Sequence, residues 1–285
     1  MVALARLEAF LAACRRPTIA TLHDVYAPDG WREGWLDAGI LGVRRLTLAA
    51  RWLVVHSDEE RGRLAGVAPE RMVGVVPHFV EPRDLPMARS EAKRLLGLEG
   101  RRVLTLLGFM TRRKGHRLVL ESIPQLPDDV FIVFAGAPIA GREARGDELA
   151  TYARDLGVAD RVRFTGYVPD AELERILAAT DVAVCPFRDM SASGSLATWI
   201  STRRPIVTSD LPAFRELEAL APGALHIFAP LTPTAFATRV RAVLADPAVP
   251  ADPAVDRLAR LLATPRIVER YLDVYRLAVG PRASS

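Results

Sequence analysis

Three cationic side chains and two glycines share one loop, Gly108–Gly115, which reads GFMTRRKG. The apolar run Val103–Leu107 precedes this loop, and apolar residues at helical spacing, Leu118, Val119 and Ile123, follow it. The pattern predicts a strand, a glycine turn, a basic loop and then a helix. Because the free N–H groups and the dipole of a helix N-terminus favour negative charge, the segment indicates a site for a phosphate-bearing ligand. A solvated basic loop that binds nothing is the alternative.

Three further polar or glycine-containing segments follow predicted strands. They are Thr21–Asp24 (TLHD), Phe164–Pro169 (FTGYVP) and Ser191–Leu196 (SASGSL). In an open α/β sheet, ligands bind outside the carboxyl ends of the strands. All four segments are therefore expected to lie at strand carboxyl ends and to converge on one ligand-binding rim.

The elements that must position these segments alternate between strand and helix along the whole chain, which favours βαβ units and parallel sheets. The first half contains predicted strands at 18–22, 53–56 and 72–76 and helices at 3–14, 41–51 and 58–65. The second half contains strands at 103–107, 130–135, 161–164, 182–185, 205–208 and 225–228. Its helices are predicted at 115–126, 143–156, 170–179, 194–203, 212–220 and 232–245, with two more at 253–263 and 265–278. The proline-rich stretch Pro77–Pro86 predicts a domain boundary at 77–100.

Composition narrows the class of protein and its partners. The 285 residues carry 38 basic and 34 acidic side chains, a formal net charge of +4, and acidic residues interspersed with basic ones, which disfavours a nucleic-acid partner. A modest basic bias suits an anionic ligand or peripheral contact with an anionic membrane.

The two cysteines, Cys14 and Cys185, form neither a disulfide framework nor a zinc pattern and are expected in the core. The N-terminal apolar run is interrupted by charge, unlike a signal peptide, so we expect a cytoplasmic protein, with the inner membrane face as an alternative location.

The order of these segments resembles the retaining GT-B glycosyltransferases of family 4, the glycosyl transferases group 1 domain, from about residue 18 to about 278. The resemblance implies an α/β fold of GT-B type. Residues 86–264 would form a complete C-terminal doubly wound parallel-sheet domain that binds the nucleotide sugar. Residues 1–85 would form a partial N-terminal Rossmann-like domain on the acceptor side, and residues 265–285 a crossover helix with a disordered tail.

The family holds the donor diphosphate in a Gly-x₅-Lys-Gly loop, which Gly108, Lys114 and Gly115 match in spacing. Many members carry an arginine directly after the first glycine, where this chain has Phe109, so the resemblance leaves Arg112 or Arg113 as the second cation. The group Ser193, Gly194 and Ser195 at a helix N-terminus is the other predicted diphosphate contact.

The resemblance also implies which residues contact the base, the ribose and the sugar of the ligand. The turn Gly166, Tyr167 and Val168 is similar to the family's nucleotide-base turn, and Glu216 matches a position near the ribose. His23 would face the sugar as the catalytic histidine, and the alternative is a loop histidine bonded to Asp24 or to backbone. We interpret His56 and His78 as ordinary polar residues and His116 and His226 as structural residues.

Two departures separate the chain from the family. Many members carry two glutamates seven residues apart, and Met190 and Thr198 occupy those positions, with Asp189 one residue before the first. Family members also begin with about a hundred further residues. Part of the acceptor site is therefore expected to be missing, rebuilt, or supplied by a second chain that completes the N-terminal domain.

The implied reaction moves a sugar from a nucleotide-diphosphate donor to an acceptor hydroxyl with retention and without a metal ion or cofactor. The implied partners are a nucleotide sugar and a carbohydrate, lipid or small-molecule acceptor. The alternative is a non-catalytic nucleotide-sugar-binding or partner subunit with a degenerate GT-B fold. A dinucleotide-binding Rossmann enzyme is disfavoured, because no Gly-x-Gly-x-x-Gly follows a predicted strand.

Overall fold

The computed structural model describes residues 9–10, 13–14, 17–23, 25, 50, 52–66, 68–69, 72–190, 192–246 and 252–279. The chain forms two compact units. The first comprises Met1–Phe79 together with Leu262–Ser285, and the second comprises Val80–Leu261. The chain therefore leaves the first unit at Val80 and returns to it at Leu262.

Nine strands and ten α-helices lie within the described ranges, and residues 9, 10 and 13 are helical as well. The strands are β1 Ile19–Thr21, β2 Trp52–Val55, β3 Val73–Val75, β4 Arg102–Leu107, β5 Val130–Ala135, β6 Val162–Phe164, β7 Val182–Cys185, β8 Ile206–Ser209 and β9 His226–Phe228. The helices are α1 Asp58–Arg63, α2 Arg89–Leu95, α3 His116–Ser122, α4 Ala144–Asp155, α5 Asp170–Ala179, α6 Gly194–Thr202, α7 Pro212–Leu220, α8 Pro233–Ala245, α9 Pro253–Leu261 and α10 Thr264–Val279. Short 3₁₀ turns cover Arg112–Lys114, Ile123–Gln125 and Ala159–Arg161.

The first unit is built on a three-stranded parallel sheet in the order β1-β2-β3. Its central strand β2 is almost wholly buried, as expected for a parallel strand covered on both faces. Helix α10 belongs to this unit and approaches β3 closely, since a Cβ at Gly74 would lie 3.1 Å from Val274 Cγ2. A glycine in β3 therefore makes room for the returning helix.

The second unit is built on a six-stranded parallel sheet in the order β6-β5-β4-β7-β8-β9. Numbered within the unit, this order is 3-2-1-4-5-6, the doubly wound arrangement. The predicted doubly wound α/β sheet is thus confirmed. The strand order reverses between β4 and β7, which pair through Leu104–Val182 and Thr105–Ala183. In such sheets the crevice at this reversal, at the carboxyl ends of the strands, is where ligands bind.

One carboxylate at the opposite end of the sheet ties several elements together. Asp181, directly before β7, accepts hydrogen bonds from Val103 N at 2.6 Å, Lys93 Nζ at 2.6 Å and Arg89 Nη1 at 3.2 Å. It thereby joins α2 to the first residues of β4 and β7. The sequence patterns missed α2, because it is only seven residues long, lacks a side-chain N-cap and buries one residue, Ala92.

The other predicted elements of the second unit appear with bounds shifted by at most two residues, apart from the helix predicted at 115–126. That helix ends at Ser122 and continues as a 3₁₀ turn, Ile123–Gln125. Pro124 lacks a backbone N–H and cannot continue the α-helical hydrogen bonding. Outside the described residues lie most of the helix predicted at 3–14, all of that predicted at 41–51 except residue 50, which is not helical, and the tail after 279.

The expectations for the two cysteines can also be compared with the structure. Cys185 is buried as expected, but the prediction for Cys14 was wrong, since Cys14 is exposed. Trp199, inside α6, is fully buried in the core. Within the described part of the chain, no helix combines the length and apolar character that a membrane span requires.

Candidate functional site

The site begins at the point where β4 and β5 end. Gly108 follows β4 with φ 113°, and Gly136 follows β5 with φ 148°. A Cβ at Gly136 would lie 2.2 Å from the carbonyl oxygen of Gly108, so no larger residue fits there. Gly136 also forms an isolated bridge with Gly166, which follows β6. Three glycine-containing turns, from three neighbouring strands, therefore lie directly side by side.

The basic loop folds across the reversal of strand order and is attached to the segment after β7. Gly115 has φ 80°, and a Cβ there would lie 2.1 Å from the carbonyl oxygen of Pro186. The backbone N–H of Arg188 donates to the carbonyl oxygen of Arg113 at 2.7 Å. These close contacts explain why a glycine, Gly115, directly follows the 3₁₀ turn Arg112–Lys114. They also fix the backbone that carries Lys114.

Lys114 occupies the centre of this arrangement. Its Nζ donates to Ser195 Oγ at 2.8 Å and lies 3.8 Å from the centroid of the Phe187 ring. Burial lowers the pKa of Lys114 to about 8. A partly desolvated cation with one hydroxyl and one aromatic partner can still stabilise an anion.

The N-terminus of α6 provides the other half of the site. Ser193 caps the helix by accepting from Leu196 N at 3.3 Å, and its Oγ lies 3.1 Å from Ser195 Oγ. Ser195 in turn contacts Lys114 and lies beside Gly108, where a Cβ would meet Ser195 Cβ at 3.7 Å. Two hydroxyl groups, a helix N-terminus and a lysine therefore meet at one point.

The structure thus brings together Gly108, Lys114, Ser193 and Ser195 from the predicted diphosphate contacts. Gly194 is the first residue of α6, and its carbonyl oxygen accepts from Thr198 Oγ1 at 2.9 Å. Arg112 is exposed and Arg113 is half-buried, both in the 3₁₀ turn before Gly115. Their roles as the second cation stay predictions.

The predicted base turn follows β6. Gly136 N donates to Thr165 Oγ1 at 3.2 Å, which attaches this turn to the turn after β5. Gly166 has φ 67°, Tyr167 is 80% exposed, and Val168 packs partly buried against a small core cluster. The predicted ribose residue, Glu216, lies half-buried on α7, which follows β8. The base and ribose roles of these residues stay predictions.

The first unit holds a cluster of histidines. His23 follows β1 and is exposed, and its Nδ1 lies 3.1 Å from His56 Nε2. His56 follows β2, and its Nδ1 bonds to the carbonyl oxygen of Val76 at 2.9 Å. The His78 ring lies 5.6 Å from the His56 ring, centroid to centroid. Asp24, the alternative partner predicted for His23, lies outside the described residues.

Sequence reasoning treated His56 and His78 as ordinary polar residues and missed the contacts of His56 with His23 and with His78. The available signal was positional, because His23 and His78 follow the predicted strands 18–22 and 72–76 closely and His56 is the last residue of the predicted strand 53–56. Parallel strands end at the same edge of a sheet, which brings such residues together. No group of three or more His, Cys, Asp or Glu side chains in the described ranges is arranged to hold a metal ion.

Several solved structures share this architecture. Anabaena Alr3699/HepE in complex with UDP and glucose superposes with a TM-score of 0.82 at 17% identity, covering 96% of this chain and 75% of that one. WaaG, a glycosyltransferase involved in lipopolysaccharide biosynthesis, gives 0.75 at 15% identity, covering 96% and 80%. At these identities the likeness shows the fold alone.

Curated relatives are more similar in sequence. Over 190 residues the chain is 28% identical to a 2-deoxystreptamine glucosyltransferase of Streptomyces kanamyceticus, covering 64% of this chain and 47% of that protein. Over 196 residues it is 30% identical to a D-inositol 3-phosphate glycosyltransferase of Thermomonospora curvata, covering 62% and 45%. The chain spans about half the length of these relatives.

The family comparison covers the second unit, where the glycine turns, Lys114 and the α6 N-terminus lie. The model for "Glycosyl transferases group 1" matches residues 101–246, which is just over half of the chain. The chain therefore belongs to the glycosyl transferases group 1 family and has the GT-B fold.

Proposed function

We propose that this chain binds a nucleotide-diphosphate sugar and transfers the sugar to an acceptor hydroxyl. The observation that carries the proposal is the contact between Lys114 Nζ and Ser195 Oγ, 2.8 Å apart, at the reversal of strand order in the second sheet. This is the place where doubly wound sheets bind nucleotides. Family membership and the solved complex of a neighbour with UDP and glucose support the same proposal.

The chemistry of the departing diphosphate accounts for this set of groups. When the bond between the sugar and the diphosphate breaks, negative charge develops on the leaving oxygen. Lys114 would neutralise that charge, and the hydroxyls of Ser193 and Ser195 and the N-terminus of α6 would donate hydrogen bonds to the phosphates. Such groups are most effective when they are held in place before the reaction and are partly shielded from water.

We further propose that the transfer retains the anomeric configuration and needs no metal ion. The resemblance to the retaining family supports retention. Groups of the chain itself, the ammonium of Lys114 and the dipole of α6, supply positive charge where other enzymes use a cation. Activity that persists in excess chelator, and a product of the donor's anomeric configuration, are the expected results.

The acceptor is proposed to be a compound with ring hydroxyl groups. The two relatives above are named for 2-deoxystreptamine and D-inositol 3-phosphate, and a third, from Mycolicibacterium smegmatis, is named as a GDP-mannose-dependent phosphatidylinositol monomannoside mannosyltransferase. Each of the compounds in these three names contains a cyclitol ring. Cyclitols and cyclitol lipids are therefore the first acceptors to test with UDP-, GDP- and ADP-sugars.

A non-catalytic binding subunit is the second candidate. It is favoured by the two positions at which many family members carry glutamate. Met190 is 9% exposed, and the Thr198 hydroxyl is engaged with the carbonyl oxygen of Gly194. Neither side chain supplies a carboxylate to a sugar. This candidate predicts nucleotide binding without sugar transfer or donor hydrolysis.

The deciding experiment compares Lys114→Met with the native chain. The substitution keeps an unbranched side chain over Phe187 but removes the charge, so nucleoside-diphosphate affinity measured by calorimetry should fall roughly 10- to 100-fold, the value of one charge-assisted hydrogen bond. Arg117→Ala, which removes an exposed cation three residues away, is the matched control and should bind normally. Equal affinity of native chain and Lys114→Met would remove Lys114 from the site.

A product assay separates the two candidates. Mass spectrometry of reactions with nucleotide sugars and cyclitol acceptors should detect glycosylated acceptor if the chain is a transferase. Binding without product across these donors and acceptors would favour the non-catalytic subunit.

A further inference from the structure

The rear pocket, a cation-lined cavity in the second unit, lies at the edge of the sheet opposite the glycine turns. Its described lining consists of Arg89, Ser90 and Lys93 from α2 and Arg204, which precedes β8. The pocket has a volume of about 490 Å³. Pockets of about 300–1,000 Å³ commonly hold small molecules. The rear pocket is therefore large enough for a small ligand, and its described lining contains no residue of the candidate nucleotide site.

The three cations of the rear pocket are held in place by the protein itself. Lys93 Nζ lies 2.6 Å from Asp181 Oδ2, and Arg89 Nη1 lies 3.2 Å from Asp181 Oδ1. The side chains of Lys93 and Arg89 are 15% and 24% exposed. Arg204 Nη2 donates to the carbonyl oxygen of Ala178 at 3.1 Å, and Arg204 is half-buried. The cationic groups are thus positioned and partly desolvated before any ligand binds.

The described charges at the rear pocket do not balance. Three cations accompany one carboxylate, Asp181, which leaves two positive charges in a partly buried space. Burial, and then the nearby charge of Arg89, lower the pKa of Arg204 to about 10, and Asp181 opposes this only in part. Arg204 is still charged at pH 7. Because like charges in a partly buried space disfavour one another, an anion bound among them would stabilise all three.

We propose that the rear pocket binds a phosphomonoester, in addition to the nucleotide sugar of the proposed function. A phosphomonoester carries roughly two negative charges at pH 7, which matches the two positive charges that the pocket leaves over. The planar guanidinium groups of Arg89 and Arg204 suit the geometry of phosphate oxygens, and the ammonium of Lys93 adds a compact charge. Ser90, exposed beside them, supplies a hydroxyl donor. The phosphate belongs either to a small soluble compound or to a lipid headgroup.

Binding can be located in the native full chain without any substitution. ¹H–¹⁵N correlation spectra recorded at pH 7.5 during titration with glycerol 3-phosphate follow the backbone amides of α2 and of the basic loop separately. We expect the signals of Ser90 and Lys93 to shift and to saturate. Shifts confined to Gly108–Gly115 and to the N-terminus of α6, with none in α2, would show that the phosphate binds only at the candidate nucleotide site and would overturn the proposal.

A matched pair of substitutions tests the cations, with affinity read from the α2 signals. Arg204→Gln should weaken glycerol 3-phosphate binding roughly tenfold, the value of one charge-assisted hydrogen bond. Arg241→Gln is the control, because it makes the same charge change at an exposed arginine on α8 that also donates to a distant carbonyl, Gln125 O, at 2.7 Å. It should bind as the native chain does. Equal affinity of the native chain and folded Arg204→Gln would contradict the proposal.

Two further arms identify the source of the phosphate. Phosphatidylcholine vesicles with and without phosphatidic acid present the same phosphomonoester as a lipid headgroup. Cosedimentation that requires phosphatidic acid, that Arg204→Gln loses and that Arg241→Gln keeps would assign a lipid headgroup, whereas binding of glycerol 3-phosphate alone would assign a soluble compound. Acetate, with one charge, should bind more weakly than glycerol 3-phosphate, and equal affinity would refute the assignment to phosphate. Absence of binding in both arms would overturn the proposal and leave nucleotide binding through Lys114 unaffected.

Discussion

At the scale of single residues, burial at the candidate site lowers the pKa of Lys114 and raises the pKa of Cys185, and both shifts favour the neutral form. The Lys114 ammonium loses hydration, and the nearby Cys185 thiol, fully enclosed beneath it, has its pKa raised by burial to about 12. The cysteine therefore stays neutral and does not compete with an anionic ligand for the lysine. A weakly hydrated ammonium costs less to desolvate further when a diphosphate binds.

The lowered pKa of Lys114 makes a prediction for nucleotide binding. A diphosphate favours the charged lysine, so the contribution of Lys114 to the affinity should be nearly complete at about pH 7 and should fall as Lys114 loses its proton around and above pH 8. We expect roughly a tenfold fall in the affinity of UDP between pH 7.5 and 9.5. Calorimetry across this range measures it. Lys114→Met should bind weakly with a flat profile, and an equally steep profile in that variant would assign the titration to another group.

His116 makes a prediction for stability in acid. It is 2% exposed beside Phe134, and burial, followed by the charge of Arg145, lowers its pKa from 6.5 to about 3. Between these two values the unfolded chain binds a proton that the folded chain does not. Stability from this residue is thus fully present above pH 6.5 and is lost as the pH falls, by about 1.4 kcal/mol per pH unit below 6.

Urea unfolding at pH 7.5, 5.5 and 4.5 tests this prediction. His116→Gln removes the titrating group, so its stability should depend less on pH than that of the native chain. Part of the dependence should remain, because the pKa of His56 is also lowered. Identical pH slopes in the two proteins would show that His116 does not carry the effect.

At the scale of elements, the candidate site depends on backbone approaches that only glycine allows. An added Cβ would lie 2.2 Å from the carbonyl oxygen of Gly108 at Gly136 and 2.1 Å from that of Pro186 at Gly115. Gly108 and Gly166 are not crowded in this way and are required by their positive φ angles instead. Each approach brings a main chain close to the space where a ligand would lie. Glycine at positions 115 and 136 of this chain is therefore explained by contacts within the chain itself.

A pair of glycine substitutions separates steric conflict from backbone strain. In Gly115→Ala the new Cβ would lie 2.1 Å from Pro186 O at a φ of 80°, whereas Gly157→Ala has a similar φ of 68° and no atom within 4 Å. Gly157→Ala should cost about 1 kcal/mol, the strain of a left-handed residue. Gly115→Ala should cost about 3 kcal/mol in urea unfolding and should also weaken UDP binding, since Lys114 adjoins it. Equal losses would mean that the loop moves away from Pro186 freely.

At the scale of the whole molecule, the two units differ in the number of strands described in their sheets. The second unit has six strands and a large buried cluster that includes Phe134, Phe236 and Val184. The first unit has three described strands and a smaller cluster around Leu53 and Val55. All residues of the predicted diphosphate site belong to the second unit, and His23 belongs to the first. We propose that the second unit is the donor-side domain and that the first unit is the acceptor-side domain.

This division predicts that the fragment Val80–Leu261 folds alone. Its sheet and core are internal, so it should unfold cooperatively in urea and bind nucleoside diphosphates with the affinity of the full chain. Lys114→Met within the fragment is the control and should bind weakly. A fragment that folds but does not bind, beside a full chain that does, would place part of the nucleotide site in the first unit.

Much of the fold was predictable because alternating patterns are local. The apolar runs of β5 and β7 and the helical period of α5 are visible in short windows, and their bounds were predicted correctly. Helix α2 was missed because seven residues with one buried position give no period to detect. The basic loop was recognisable from its spacing, since Gly108, Lys114 and Gly115 lie within eight residues.

By itself, the sequence determined the alternation of strands and helices, the glycine turns and the cationic loop, because each depends on residues close together in the chain. Only the tertiary structure decided that Lys114 meets Ser195, 81 residues away, and that His23 meets His56, 33 residues away. Strand order and helix packing set such contacts, and no local pattern encodes which distant strand ends become neighbours. The physical reason is that hydrogen-bond direction and desolvation are properties of the assembled neighbourhood, not of any residue alone.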